Sequence, residues 1–352
     1  MKNLLNVSLA IALLFSATLM SCKNDGLQPT EQPSDKFISF KGETIKIPAN
    51  FPEELFGQTQ EEFDSYMNGK TARKAREINS ANLTYDEILE IFNKHLVKYP
   101  RVNYDSISNE DLKRILVDIP SIKSLEDALS KVDFIFDYYN TIVKNDIIPD
   151  VLALEKSKLS AKISGGSPGS LTDPERNVLL GNPTYGAIYA QAANDANYVT
   201  MVEWGVDIDN QKNNAFKHSL WNCLIIRGIL GGAPASKTQA INFAQNGTSA
   251  HEKNNDGSQN HTPEAAMDLH NNMSARNWMD DEVKWGIGPF RKMPNFEKIK
   301  NTWYARANSS TFYDKSTNWT GILVLHGGNN STTWNNLYNN LYGGHQHCVH
   351  ME

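Results

Sequence analysis

Three segments in the second half of this 352-residue chain carry the residue types that chemistry needs. The first is NNAFKHSLWN, Asn213 to Asn222. On a helix its Asn214, His218, Trp221 and Asn222 fall at i, i+4, i+7 and i+8 and share one face. The second runs from Ala240 and ends in the adjacent pair His251-Glu252. The third, Ala266 to Arg276, puts Asp268, Asn271, Asn272 and Ala275 on one face and points His270 elsewhere. These are amides, imidazoles and carboxylates on stripes where a plain bundle has leucine. Burying each without a partner costs about 1–3 kcal/mol, so the three faces are expected to meet and satisfy one another.

Hydrolysis is one chemistry such a set supports. Imidazole titrates near neutrality, so His218 and His251 can act as general base and acid. Asp268 or Glu252 would orient an imidazole, and Asn214, Asn222 and Asn272 would donate to a developing oxyanion. With Zn²⁺ bound, His218, His251 and Asp268 would form a three-ligand centre with a position left for water, suited to a phosphodiester or phospholipid. The spacing is not HExxH. Within a helix His251 and Glu252 diverge by about 100°, so both reach one pocket only if His251 ends its helix. Two other readings use the same residues. One is a buried hydrogen-bond network that fixes helix register without catalysis. The other is a surface module in which Trp221, Trp278, Trp285, Trp303, Trp319 and Trp334, with the many asparagines, contact sugar or peptide.

Other candidate nucleophiles are weaker. Ser219 follows His218 directly and points away from it on a helix, and there is no GxSxG elbow. Cys223 precedes the apolar run Leu224-Ile225-Ile226 and reads as a buried thiol. In an exported chain a Cys223–Cys348 disulfide is one option. His345, His347, Cys348 and His350 are metal-ligand types in a carboxyl-terminal segment expected to be loose. Without a P-loop or GxGxxG, nucleotide binding has no support.

The ordered motifs NAFKHSLWN, then AHE, then MDLHNN followed by Arg276 resemble an uncharacterised bacterial domain family. That family shows NAxxHxxWN, a His-Glu pair and MDxxNNxxGR, on secreted proteins and at the ends of toxin-like polypeptides. The resemblance covers roughly Leu171 to Arg276. It implies an all-helical fold and no particular reaction. The matching positions are Asn214, His218, Trp221, Asn222, His251, Glu252, Asp268, Asn271 and Asn272. Ser274-Ala275 stands where the family has a glycine before the arginine.

The elements that must position these residues are mainly helical. Residues 37–48 alternate apolar and polar around Lys41-Gly42, as a short hairpin does. Thr84 and Glu87 form a capping-box pattern before Ile88, Ile91 and Phe92, and Ser108 and Ser124 precede further apolar stripes. Pro120 and Pro149 punctuate this run. His95 shares the Ile88 and Ile91 stripe, as a core or boundary residue would. Thr172 to Glu175 opens a helix, 320–326 reads as a short strand, and Trp334, Leu337, Tyr338, Leu341 and Tyr342 make a terminal helical stripe. The fold class expected is mainly α: a helical amino-terminal bundle over 37–159, a Gly/Ser-rich linker over 160–170, and a helical carboxyl-terminal domain over 171–352 with minor β elements. Eight of the nine histidines and all seven tryptophans follow that linker, which places the chemistry there.

The amino terminus addresses the chain. Lys2 and the apolar Leu4 to Leu19 read as a secretory signal over 1–21. Leu19-Met20-Ser21-Cys22 resembles the bacterial lipobox. That resemblance implies diacylglyceryl transfer to the Cys22 thiol and cleavage before it, leaving acyl chains to anchor a tether over 22–36 in a bilayer, at the outer membrane of the cell envelope. A net charge of −6, from 34 basic and 40 acidic residues, excludes the basic footprint of a nucleic-acid binder, and three cysteines exclude a disulfide scaffold. The partners expected are lipid, through Cys22, and a small-molecule or polymer substrate.

Overall fold

Most helices open on a side-chain cap that the sequence displays. Thr84, Thr172 and Ser236 each accept from the backbone of the residue three positions on, whose Glu or Gln side chain reaches back to complete the box. Ser108, Ser124, Thr262, Asn295 and Asn330 cap others. In this computed structural model the described residues are 35–71, 83–160, 170–285, 291–340 and 344–352. The Cys22 motif, its signal segment, the tether up to residue 34 and linker residues 161–169 lie outside them.

The chain is mainly α. A hairpin of β1 (Lys36–Phe40) and β2 (Glu43–Ile47) leads into α1 (Gln60–Thr71), α2 (Tyr85–Leu96), α3 (Asn109–Asp118), α4 (Leu125–Ser130) and α5 (Val132–Ser160). Then come α6 (Asp173–Gly181), α7 (Pro183–Trp204), α8 (Lys212–Gly232), α9 (Lys237–His251) and α10 (Pro263–Glu282). A two-residue ladder of β3 (Lys284–Trp285) and β4 (Arg291–Lys292) precedes α11 (Phe296–Asn308), β5 (Thr311–Tyr313), α12 (Thr320–Val324), α13 (Ser331–Asn339) and β6 (Val349–Met351). Gly205, at φ +72, ends α7 in the left-handed conformation that a side chain disfavours.

Residues 35–352 form one compact unit. One core runs from Ile45 and Ile47 through Ile88, Phe92, Ile135 and Ile147 to Tyr189, Phe216, Leu220 and Trp303, with α2 packed on α7. Burial overrides local punctuation here. Pro149 lies inside α5, where Ile147, Ile148 and Val151 are buried, and their burial outweighs the one ladder bond to Asn145 that proline cannot make. At its centre α8 packs against α7, α9, α10 and α11.

A smaller core sits on the other face of α10. There Met267, Leu269 and Met273 meet Ile322, Leu323, Trp334, Leu337, Tyr338, Val349 and Met351. The segment expected as a strand is therefore the short helix α12; its apolar run was too short to tell strand from helix by pattern. Nor is the carboxyl terminus loose. β6 pairs in parallel with β5, and the Asn271 amide clamps Val349 by two backbone hydrogen bonds of 3.0 Å. The Cys223–Cys348 disulfide, one option in the sequence, does not form. Cys223 and Cys348 are both free and buried, Cys223 accepting from the Trp303 indole N–H and Cys348 facing the Ser219 hydroxyl.

Candidate functional site

The three polar faces converge, except that Asn271, placed by spacing on the Asp268 face, turns to Val349. On α10, Asp268, Asn272 and Arg276 stack at i, i+4 and i+8. On α8, Asn214, His218 and Asn222 do the same against them. His251 is the last residue of α9, and Glu252 is its cap at φ −81, ψ −4. That helix end turns Glu252 toward His218 while His251 lines the cavity.

His218 lies between two carboxylates. Its Nδ1 is 3.8 Å from Glu252 Oε1, and its Nε2 is 3.4 Å from Asp268 Oδ1. One ligand atom from each of these three residues lies within 4.8 Å of the other two. Of the triad expected from sequence, His218 and Asp268 lie together with Glu252, while the Nδ1 of His251 is turned to Glu175 at 3.0 Å. His218 Nδ1, Glu252 Oε1, Asp268 Oδ1, Asn214 Oδ1 and Asn272 Nδ2 are buried with no hydrogen-bond partner. A natural core rarely leaves five such atoms together. A cavity of about 1100 Å³ opens beside them, lined by Asn214, His218, Trp221, His251 and Asp268 inside and by the exposed Met201 and Ile208 outside.

The charges in this group are unbalanced. Burial pushes the His218 imidazole well below its usual range, helped by the cationic Lys217 and His251 nearby. Burial also holds the Asp268 and Glu252 carboxyls above theirs; the Glu252 charge pushes Asp268 further, while His251 partly offsets the rise at Glu252. A neutral imidazole and two crowded carboxylates, all with free lone pairs, form the donor set that a divalent cation satisfies at once.

His251 behaves in the opposite way. Burial disfavours its charge, but the Glu175 carboxylate outweighs that and raises it to about 9. Glu175, fully buried, also accepts from the hydroxyls of Tyr85 at 2.8 Å and Tyr189 at 2.6 Å. Gly247 makes room for the Tyr189 ring, since a Cβ there would stand 2.4 Å from Tyr189 Cε2. The Trp221 indole meets the His251 ring edge-on. An imidazolium is thus held at the wall of the cleft.

Behind the cluster lies a second polar layer. Asn222 donates to His218 O at 3.0 Å and to Asn272 Oδ1 at 2.7 Å, and accepts from Arg276 and Thr248. Fixing Asn272 Oδ1 in this way turns its Nδ2 toward His218 and Glu252. Arg276 is fully buried, and burial lowers it to about 9. Asn222 is therefore a positioning residue and does not line the cavity; its expected place at the oxyanion is corrected.

Tyr85, Glu175 and Tyr189 were not candidates in the sequence. Glu175 has an ordinary N3 position in a capping box, and its second use on His251 joins residues 76 apart. Trp278, Trp303 and Trp334 are buried away from the cavity, and Trp221 is buried but lines it. Trp319 is half-buried against the smaller core, and the Trp285 side chain lies outside the described residues. At the carboxyl terminus, His345 and His347 approach His270 and His326, while His350 hydrogen-bonds Ser310. Burial and mutual repulsion lower His270 well below the imidazole range and His326 to about 4.

The architecture is that of a helical domain with a buried histidine–carboxylate centre. Residues 176–300 match a domain of unknown function, DUF6973, a span that holds His218, Glu252 and Asp268. No curated protein and no solved structure matches the chain.

Proposed function

We propose that the chain is a metal-assisted hydrolase with His218, Glu252 and Asp268 as the ligands. The observation that supports this most is that one ligand atom from each of His218, Glu252 and Asp268 lies within 4.8 Å of the other two, in a buried cluster beside a cleft. A divalent ion there would polarise an ester oxygen and lower the pKa of a water. The remaining steps belong to the chain. Asn214 orients that water and the ester, and the His251 imidazolium gives its Nε2 proton to the departing oxygen as water oxygen bonds to the ester centre. The proton released by water then restores His251.

The exposed rim favours a lipid-bearing phosphodiester as substrate. Met201 and Ile208 line the cleft, and Tyr198, Val202 and Val206 extend the same exposed apolar strip. A phospholipid presents an anionic diester and acyl chains together. Anchoring through Cys22 acyl chains in the cell envelope, also part of the proposal, would bring such lipids to the cleft; among the described residues no helix is long and apolar enough to cross a membrane. Palmitate labelling that disappears in Cys22→Ser would support the anchor. Purified chain should contain zinc or a similar ion, hydrolyse phosphodiesters or phospholipids, and lose both properties in Asp268→Asn. A metal-free chain, inert toward these esters after reconstitution with Zn²⁺, would leave the set as a structural network.

A further inference from the structure

We propose that His270, His326, His345 and His347 form a second metal site, an all-imidazole cage for one borderline divalent transition ion of the Zn²⁺ class. It stands apart from the His218 centre and does not depend on it. Four rings reach one place from three parts of the chain: α10, the turn after α12, and the segment before β6. Their centroids are 5.1 Å apart for His270–His326, 5.6 Å for His270–His345, 4.8 Å for His270–His347, 5.0 Å for His326–His345 and 5.4 Å for His345–His347. With metal–nitrogen bonds of about 2.0–2.1 Å, a tetrahedral set of imidazoles has centroids about 5 Å apart.

The outer hydrogen bonds fit the same role. His270 Nε2 donates to His347 O at 3.1 Å, and His345 Nε2 donates to Leu325 O at 3.0 Å, which leaves Nδ1 of each as the lone-pair nitrogen. His270 Nδ1 lies 2.9 Å from His326 Nε2. The sixth pair, His326–His347, is not in ring contact, so the rings would turn to bring four nitrogens onto one ion. Among the described residues no carboxylate is hydrogen-bonded or ion-paired to the four rings, and the Cys348 thiol faces Ser219 instead. An all-nitrogen set selects zinc, copper or nickel over calcium or magnesium. The ion would tie the terminal segment to α10 two residues beyond Asp268.

The test is Co²⁺ titration of the full chain, followed by its visible absorption. Wild type should show the intense bands of four-coordinate cobalt, with displacement by Zn²⁺. His326→Gln and His347→Gln should each bind one equivalent fewer and lose the bands of the all-nitrogen site, while His218→Gln keeps those bands. Should both cluster variants match wild type in stoichiometry and spectrum, the cluster is only an array of N–H···N hydrogen bonds and the proposal fails. Because either variant could misfold, zinc-edge X-ray absorption on Asp268→Asn, with the four imidazoles intact, gives a second reading. Four imidazole nitrogens at about 2.0–2.1 Å support the cage. A shell containing carboxylate oxygen, or no bound zinc, overturns it.

Discussion

His251 Nδ1 lies 3.0 Å from Glu175 Oε2, a carboxylate with no exposed surface, and this contact decides the charge of the one imidazole that walls the cleft in cationic form. A histidine raised from 6.5 to about 9 stabilises the fold most below pH 6.5, and that contribution is lost as pH rises through 9. The full effect is about 3 kcal/mol. In chelator-treated protein, Glu175→Gln should remove the largest group opposing burial and lower the His251 pKa, with Glu252 and Asp268 left as the partial offset. Imidazole NMR titration reads this directly. An unchanged titration in the variant would mean that another group holds the charge.

The two carboxylates make opposite predictions with and without metal. In chelator, Asp268→Asn relieves a buried carboxylate crowded by Glu252, so the variant should be more stable than wild type by about 1–3 kcal/mol. With saturating Zn²⁺ the order should reverse, because wild type gains binding free energy that the variant does not. Paired thermal melts in the two buffers check this crossing. A variant less stable in both buffers by the same amount would make Asp268 a satisfied member of a network.

Much of this site could be read from periodicity, and the rest could not, for physical reasons. The stacking of Asp268 on Asn272 and of His218 on Asn214 follows from helical spacing alone. Which of His251 and Glu252 would face His218 depended on where α9 ends, a matter of one residue's dihedral angles. Glu175 is written in the sequence as a cap, and only the packing of α6 on α9 gives it a second partner. The terminal segment is polar and glycine-containing, so local pattern reads it as loose; its order comes from the Asn271 clamp, made across 78 residues. Pro149 fails as a helix stop for the same reason: buried neighbours decide.

Asn222 is the hinge between the inner polar layer and the ligands. Asn222→Leu should cost about 3 kcal/mol, because it leaves the buried Arg276 with Thr248 as its remaining acceptor and frees Asn272. Metal affinity should fall about 10–100-fold as Asn272 loses its orientation. The double variant Asn222→Leu, Arg276→Leu removes the buried cation and should regain stability without regaining affinity. Denaturant melts beside zinc titrations separate the two effects; affinity returning along with stability would show that Asn222 acts through the fold alone.

Lys144 carries an independent prediction about stability. It is buried on α5 with its Nζ 4.5 Å from the centroid of the Phe63 ring, and burial lowers it to about 8 although Asp137 favours its charge. Below pH 8 the folded chain holds a buried ammonium that the unfolded chain would hydrate. Lys144→Met should therefore stabilise the protein at pH 7 by about 2 kcal/mol. Between pH 8 and the unfolded lysine pKa near 10.4 the unfolded state binds more protons, so wild-type stability rises with pH relative to the variant. The gain from Lys144→Met should shrink across that window. Urea melts of both proteins from pH 7 to 10 measure it, and a constant difference would show that the ammonium reaches solvent through its flexible stem.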